Sequence, residues 1–207
     1  MKSYDELSSL EIDTLQEIGS IGTGNAATAL SQLLNCEVRI TRPEVRIMGY
    51  NEAIEWIGGA EEITAGVLVK MGGQINGIML AVQKLDFINQ VLKSIMGKGV
   101  EDYMGLHEME CSALIEVGNI MISTFINALS GLADLKIELT VPAFTVDMQG
   151  AIMAVPMAEY GGQSDHIMTI GGNFVCDDKQ VPCRLLLSPD LRSLNFLLGK
   201  LGVSSGE

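Results

Sequence analysis

Two stretches of the chain repeat their apolar residues at helical spacing. Wound at about 100° per residue, the stretch from about Ser9 to Asn35 places Leu15, Ile18, Gly22, Ala26, Ala29 and Leu33 on one broad face. Asp13, Glu17, Ser20 and Gly24 fall on a narrow stripe opposite. Ser8 and Glu11 stand at capping-box spacing before this helix, and Asn35 is its expected stop. A second helix repeats the arrangement, with Leu114, Val117, Met121, Phe125 and Leu132 inward and Ser112, Glu116, Asn119 and Ser123 outward. Ile115, Ile122 and Ile126 are expected to flank the second polar stripe and stay out of the core, ringing an acid and an amide with isoleucine as a docking surface would. Alternating segments, ITAGVLVKM, GIMLAVQ and CRLLLS, predict strands.

The two helical stretches are copies. At a shift of 99 residues, Leu15, Glu17, Gly19, Ile21, Ala29, Leu30, Ser31, Leu33, Thr41 and Pro43 meet identical residues. Farther on, INGIMLAVQKLDFINQVL resembles VPCRLLLSPDLRSLNFLL at a shift of 106, a strand followed by a helix. The unit is therefore helix, strands, helix, repeated once. The change of shift places an insertion in the second half, around AEYGGQSDH, and KGVEDYMG is the expected connector. The fold class that follows is α+β: a mostly antiparallel sheet with internal pseudo-two-fold symmetry and two long matched helices packed on it. One sheet shared by both halves and two separate domains both satisfy the repeat. Gly19 and Gly118, on the apolar side of each helix, predict a close approach to a neighbour, since a helix-interior glycine costs about 1 kcal/mol relative to alanine.

Charge and composition narrow the function. Thirteen Lys and Arg against 26 Asp and Glu give a net charge of −13 with no basic cluster, which argues against nucleic acid and anionic membranes as partners. The acidic start MKSYDELSSLEIDTL does not read as a signal peptide, and no uninterrupted apolar run approaches the ~18 residues of a membrane span, so a cytoplasmic protein is expected. Cys36, Cys111, Cys176 and Cys183 form no CxxC pair and are expected to be reduced, small hydrophobes. His107 and His166 lie in no HExxH frame, so no metal site is expected. GTGNAA matches GxGxxA, but it lies a dozen residues inside a helix instead of opening one, which excludes a dinucleotide loop. Neither GxxxxGK[ST] nor GxSxG occurs.

The duplicated helix carries a spaced pattern, [DS]xxxExxN followed by 22 residues and a proline. The second copy fits in full with Ser112, Glu116, Asn119 and Pro142, while the first has Asp13, Glu17 and Pro43 but Ser20 in place of Asn. In this pattern, in the surrounding EIGSIGTGNAATALS and EVGNIM, and in length, the chain resembles the CheC-type phosphatases of bacterial and archaeal chemotaxis, relatives of CheX and FliY. The resemblance implies a single domain of two repeats, residues 8–98 and 107–204. It also implies hydrolysis of the aspartyl phosphate on the response regulator CheY. Asn119 would orient the attacking water, Glu116 would anchor to a cation of the regulator, and Glu17 with Ser20 would form a second, degenerate site. No cofactor of the chain's own is expected, because the Mg²⁺ would sit in the regulator. Asp13, Ser112, Ile115 and Ile122 are the expected regulator contacts. The alternative is a non-catalytic adaptor for the receptor deamidase CheD, with Asp147 in VDMQGAI as the suspected contact. A motor-switch role like that of FliY is less favoured, since FliY-type chains add a C-terminal domain and this chain ends at LGVSSGE. A duplicated scaffold that has lost catalysis is a third reading, against which the full second motif stands.

Overall fold

Two 26-residue helices, α1 (Ser9–Leu34) and α4 (Glu108–Ala133), dominate the computed structural model, which describes residues 3–176 and 179–203. Met1 and Lys2, which begin the acidic N-terminal stretch, and Ser204, the expected end of the second repeat, lie outside the described residues. Local chemistry sets the helix ends. Glu11 Oε2 accepts from the Ser8 backbone N–H at 2.7 Å and Ser8 Oγ accepts from the Glu11 N–H at 3.4 Å, the reciprocal pair of a capping box. Each helix stops on a left-handed residue, Asn35 and Asp134, both at φ 50° and 99 residues apart.

After α1 come β1 (Arg39–Gly49), α2 (Tyr50–Ile57), β2 (Ile63–Gly73), β3 (Gly77–Gln83) and α3 (Leu85–Met96). The connector, with a short turn of 3-10 helix at Tyr103–Gly105, leads to α4, β4 (Ile137–Leu139), β5 (Ala143–Met148), α5 (Gln149–Tyr160), β6 (His166–Cys176), β7 (Lys179–Pro189) and α6 (Leu191–Lys200). All pairings are antiparallel, in the order β1-β6-β7-β3-β2-β4, with β5 also on β2. The two halves thus exchange strands: β1 of the first pairs with β6 of the second, and β4 and β5 of the second pair with β2 of the first. One seven-stranded sheet results, with the repeat axis at the β3–β7 pair.

Both faces of this sheet are covered. Val67, Val69, Met79, Ala81, Leu185 and Leu187 pack beneath α1, α3, α4 and α6. The intervening Leu80, Val82 and Leu186 meet Ala53 and Ile57 of α2 and Ile152 and Met153 of α5. This accounts for the wholly buried β3, as a strand covered on two sides must be. The motif prolines mark where the matching outer strands are interrupted. Pro43 lies at a register shift in β1 between Thr41 and Glu44, and Pro142 lies in the gap between β4 and β5. A residue without an N–H cannot continue the ladder.

The helix starts are offset by 99 residues for α1 and α4 and again for α2 and α5 (Tyr50, Gln149), by 103 for β2 and β6 (Ile63, His166), and by 106 for α3 and α6 (Leu85, Leu191). The expected insertion is therefore divided: α5 extends to 12 residues against 8 in α2, and the remainder falls in the β6–β7 hairpin.

Three expectations need correction. Cys36, just past α1, and Cys176, at the end of β6, form a disulfide across 6.6 Å between Cα atoms; the strand exchange sets β6 beside β1 and so beside the end of α1. Cys111 and Cys183 are free, and burial pushes the Cys183 thiol up to about 11. Ile122 and Ile126 do not flank the polar stripe: they are 0% and 1% exposed, because α4 packs on α1 as well as on the sheet and its buried arc spans about half the helix circumference at 3.6 residues per turn. Ile115 stays half-buried at the margin of that arc. Leu33 and Leu132, expected inward, are 38% and 50% exposed in the last turns of their helices, where Leu30 and Leu129 fill the core instead. By length and composition α4 would also pass for a membrane span, yet its large apolar side chains Leu114, Val117, Met121 and Phe125 are core residues here.

The predicted close approaches are present. A Cβ on Gly19 would lie 2.5 Å from Val45 Cγ2, one on Gly118 2.6 Å from Val67 Cγ2, and one on Gly22 2.6 Å from Phe125 Cδ2, where the two long helices cross. Gly24 has open space around it. Urea unfolding should therefore separate Gly24→Ala, stabilised by about 0.5–1 kcal/mol through helix propensity, from Gly118→Ala, destabilised by about 1–3 kcal/mol through overpacking. The same assay should show Ile122→Ala losing about 2–5 kcal/mol and Ile115→Ala far less.

Candidate functional site

The sheet holds α1 and α4 from beneath, so the opposite stripe of each helix faces solvent. Asp13, Glu17, Ser20 and Gly24 are all exposed on α1. On α4, Ser112 and Glu116 are exposed, and Asn119 and Ser123 are half-exposed. The structure thus brings Glu116 and Asn119 onto one outward face at i, i+3, about one turn apart, and does the same for Glu17 and Ser20.

The two faces differ in what their polar atoms already do. Ser20 Oγ donates to the Gln16 carbonyl at 3.0 Å, one turn back along its own helix. Its hydroxyl is engaged by the backbone and held close to it. Ser112 does likewise with the Glu108 carbonyl at 2.8 Å, and Ser123 with that of Ile120 at 3.3 Å. Asn119 and Glu116 make no hydrogen bond or ion pair among the described residues. An amide carries both a donor and an acceptor on a short planar group, and this one is free to hold a third party, such as a water.

One contact that the sequence pattern does not reveal fixes α4 in place. Gln83, 1% exposed at the end of β3, donates from Nε2 to the Leu114 carbonyl at 3.0 Å, half a turn before Glu116. The only signal for it in the sequence is a polar residue closing an otherwise apolar strand, GIMLAVQ. Beside Glu17 lies a cleft of about 200 Å³ walled by Ile18 and Ile21 of α1, Leu132 of α4, and Lys200 and Leu201 at the end of α6. The exposed leucine thus reaches the first site from the other half of the chain. Leu33 occupies the matching position 99 residues earlier.

Of the remaining sequence candidates, Asp147 is exposed on β5, far along the chain from either helix face, and its Oδ1 accepts from the Met148 N–H at 2.7 Å. Ile122, expected as a partner contact, is excluded from that role by its burial. Among the described residues no three His, Cys, Asp or Glu side chains converge as a metal site.

The sequence model of the CheC-like family matches twice, at residues 10–47 and 109–146, which are the two long helices with the strands that follow them. The CheY-P phosphatase CheC of Bacillus subtilis is 27% identical over 209 residues, covering 99% of this chain and all of that one. Thermotoga maritima FliY has the same fold, with a TM-score of 0.75 at 20% identity over 97% of this chain and 100% of that one. The fold also recurs in a CheX–CheY–BeF3–Mg²⁺ complex from Borrelia burgdorferi, with a TM-score of 0.51 at 18% identity over 82% and 96% of the chains. Matched once on each half, at the helices that carry the paired polar stripes, the chain is similar along its length to proteins of the CheC-like family.

Proposed function

We propose that this chain is a phosphatase for the phosphorylated response regulator CheY, with α4 carrying the chemistry. The observation behind this reading is the Glu116/Asn119 pair, two outward-facing polar side chains with no partner among the described residues. The full-length relative in Bacillus subtilis is a CheY-P phosphatase, and the CheX of similar fold is bound to CheY with BeF3 and Mg²⁺.

An aspartyl phosphate is an activated acyl phosphate, so a helper protein need supply no nucleophile. It has to hold a water in line with the P–O bond that breaks. In this reading the Asn119 amide oxygen accepts a hydrogen bond from that water and orients the water oxygen toward phosphorus. The new O–P bond forms as the aspartyl O–P bond breaks, returning the regulator's carboxylate, releasing inorganic phosphate and passing one proton to solvent. Glu116, one turn earlier, anchors to a cation of the regulator. Mg²⁺ belongs to the regulator and would offset the charge developing on the phosphoryl oxygens. Ser20, shorter than asparagine and turned back to the Gln16 carbonyl, falls short of the same water, and a misplacement of about 1 Å can cost 100-fold in rate.

A second reading rests on a different surface. At the end of β5, Asp147 and Met148 are adjacent in sequence and both exposed, an acid beside an apolar side chain. Such a patch suits an adaptor that binds the deamidase CheD.

The lifetime of phosphorylated CheY in Mg²⁺ buffer, with catalytic amounts of this protein, tests the first reading. Asn119→Ala and Glu116→Ala should each slow the accelerated decay by about 100-fold, and Ser20→Ala should alter it less than about twofold, the loss scaling with how far each group reaches toward the reacting atoms. Equal losses from Asn119→Ala and Ser20→Ala would sink the assignment of the chemistry to α4. If the wild type leaves the lifetime unchanged and titrates the deamidase with an affinity that Asp147→Arg weakens, the adaptor reading replaces it.

A further inference from the structure

The two outward faces lie on one surface, and their spacing limits what can occupy them. Both long helices pack on the same side of the sheet, α1 through Gly19 on Val45 and α4 through Gly118 on Val67. They cross where Gly22 meets Phe125, and they run antiparallel, since the stretch of α1 before Gly22 shares its cleft with Leu132, beyond Phe125 on α4. Glu17 stands five residues before the crossing on α1 and Glu116 nine before it on α4, so they lie on opposite sides of it. At 1.5 Å per residue along the axes and 8–10 Å between them, the two glutamates are roughly 20–25 Å apart.

A folded partner is wider than that. A domain of about 100 residues has a radius of gyration near 13 Å, hence a diameter of roughly 33 Å. A specific interface covers about 800 Å² per partner, a disc of roughly 16 Å radius. Two such discs centred on Glu17 and Glu116 overlap. The overlap matters because the first face keeps the means to dock although it lacks asparagine. Glu17 is exposed with no partner among the described residues, and Ile21 and Leu132, 38% and 50% exposed, border the cleft beside it.

We propose, resting on the reading of the chain as a CheY-P phosphatase, that the two faces are mutually exclusive. The chain holds one phosphorylated regulator domain at a time, and a regulator seated on the Glu17/Ser20 face blocks the Glu116/Asn119 face. The degenerate site then acts as an unproductive competitor and sets how much of the bound regulator is in position to be hydrolysed.

Isothermal titration with the regulator activated by BeF3 and Mg²⁺, checked by sedimentation, measures this directly on the intact chain. The expected result is one regulator per chain for the wild type and one for each of Glu17→Arg and Glu116→Arg, with binding lost in the double variant. Glu116→Arg should bind while failing to shorten the lifetime of the phosphorylated regulator. Two regulators per wild-type chain would overturn the exclusion and leave the phosphatase reading standing. Complete loss of binding in Glu116→Arg alone would overturn docking at the first face. Failure of the wild type to bind at all would remove the underlying reading.

Discussion

The contact on which the rest depends is the approach of α4 to β2 at Gly118, together with that of α1 to β1 at the matching glycine, Gly19. No side chain separates helix backbone from valine at either point, so each helix lies on the sheet at a fixed depth and rotation. Rotation is what function needs here. A helix turned by one residue, about 100°, would send Glu116 toward its neighbours and bring Val117 into water. Gln83 adds a polar tie at Leu114, on the turn that carries Glu116. A rigid support of this kind can hold an amide for a substrate that resides in another molecule. At the polar stripes the helix surface itself does the holding.

The strand exchange explains why that support cannot be divided. Each half supplies an outer strand to the other's hairpin, so neither half alone completes the sheet under its own long helix. It also explains the disulfide. Cys36 and Cys176 are 140 residues apart in sequence and come from different halves, and only the β1–β6 pairing brings them together. No spacing rule for cysteines could anticipate a bridge that depends on which strand lies next to which.

Much else was legible in the sequence. The capping pair Ser8/Glu11, the left-handed stop at Asn35, the strand GIMLAVQ and the internal duplication are local or periodic features, and they appear where the sequence places them. The paired polar stripes are legible for the same reason, since a single helix determines which residues share its face. What a helical projection cannot supply is the width of the buried arc. Ile122 sits toward the side of α4 that the sheet alone would leave open, and it is buried because a second helix lies there. Leu33 and Leu132 err in the opposite sense: the projection turns them inward, and they are exposed at the ends of helices where the core has run out. Each error comes from a neighbour present or missing, and neighbours are set by tertiary structure.

On the paired polar stripes, the difference that bears most on chemistry is Ser20 against Asn119 and the hydrogen bond that the serine makes. The two copies share their left-handed helix ends, the matched glycines Gly19 and Gly118 and the outward glutamates, all of which serve the fold or the surface. At the next position on the stripe, one copy has an amide that reaches outward, and the other has a hydroxyl that returns to the carbonyl four residues back. A serine in mid-helix meets its own hydrogen-bonding requirement locally. The Asn119 side chain makes no such bond among the described residues, so it presents unspent donors and acceptors to whatever docks. The pseudo-symmetric scaffold therefore offers two similar surfaces and one well-placed amide. Any asymmetry in what the molecule does must come from that residue or from the neighbours that the opposite half contributes, such as Leu132 beside Glu17.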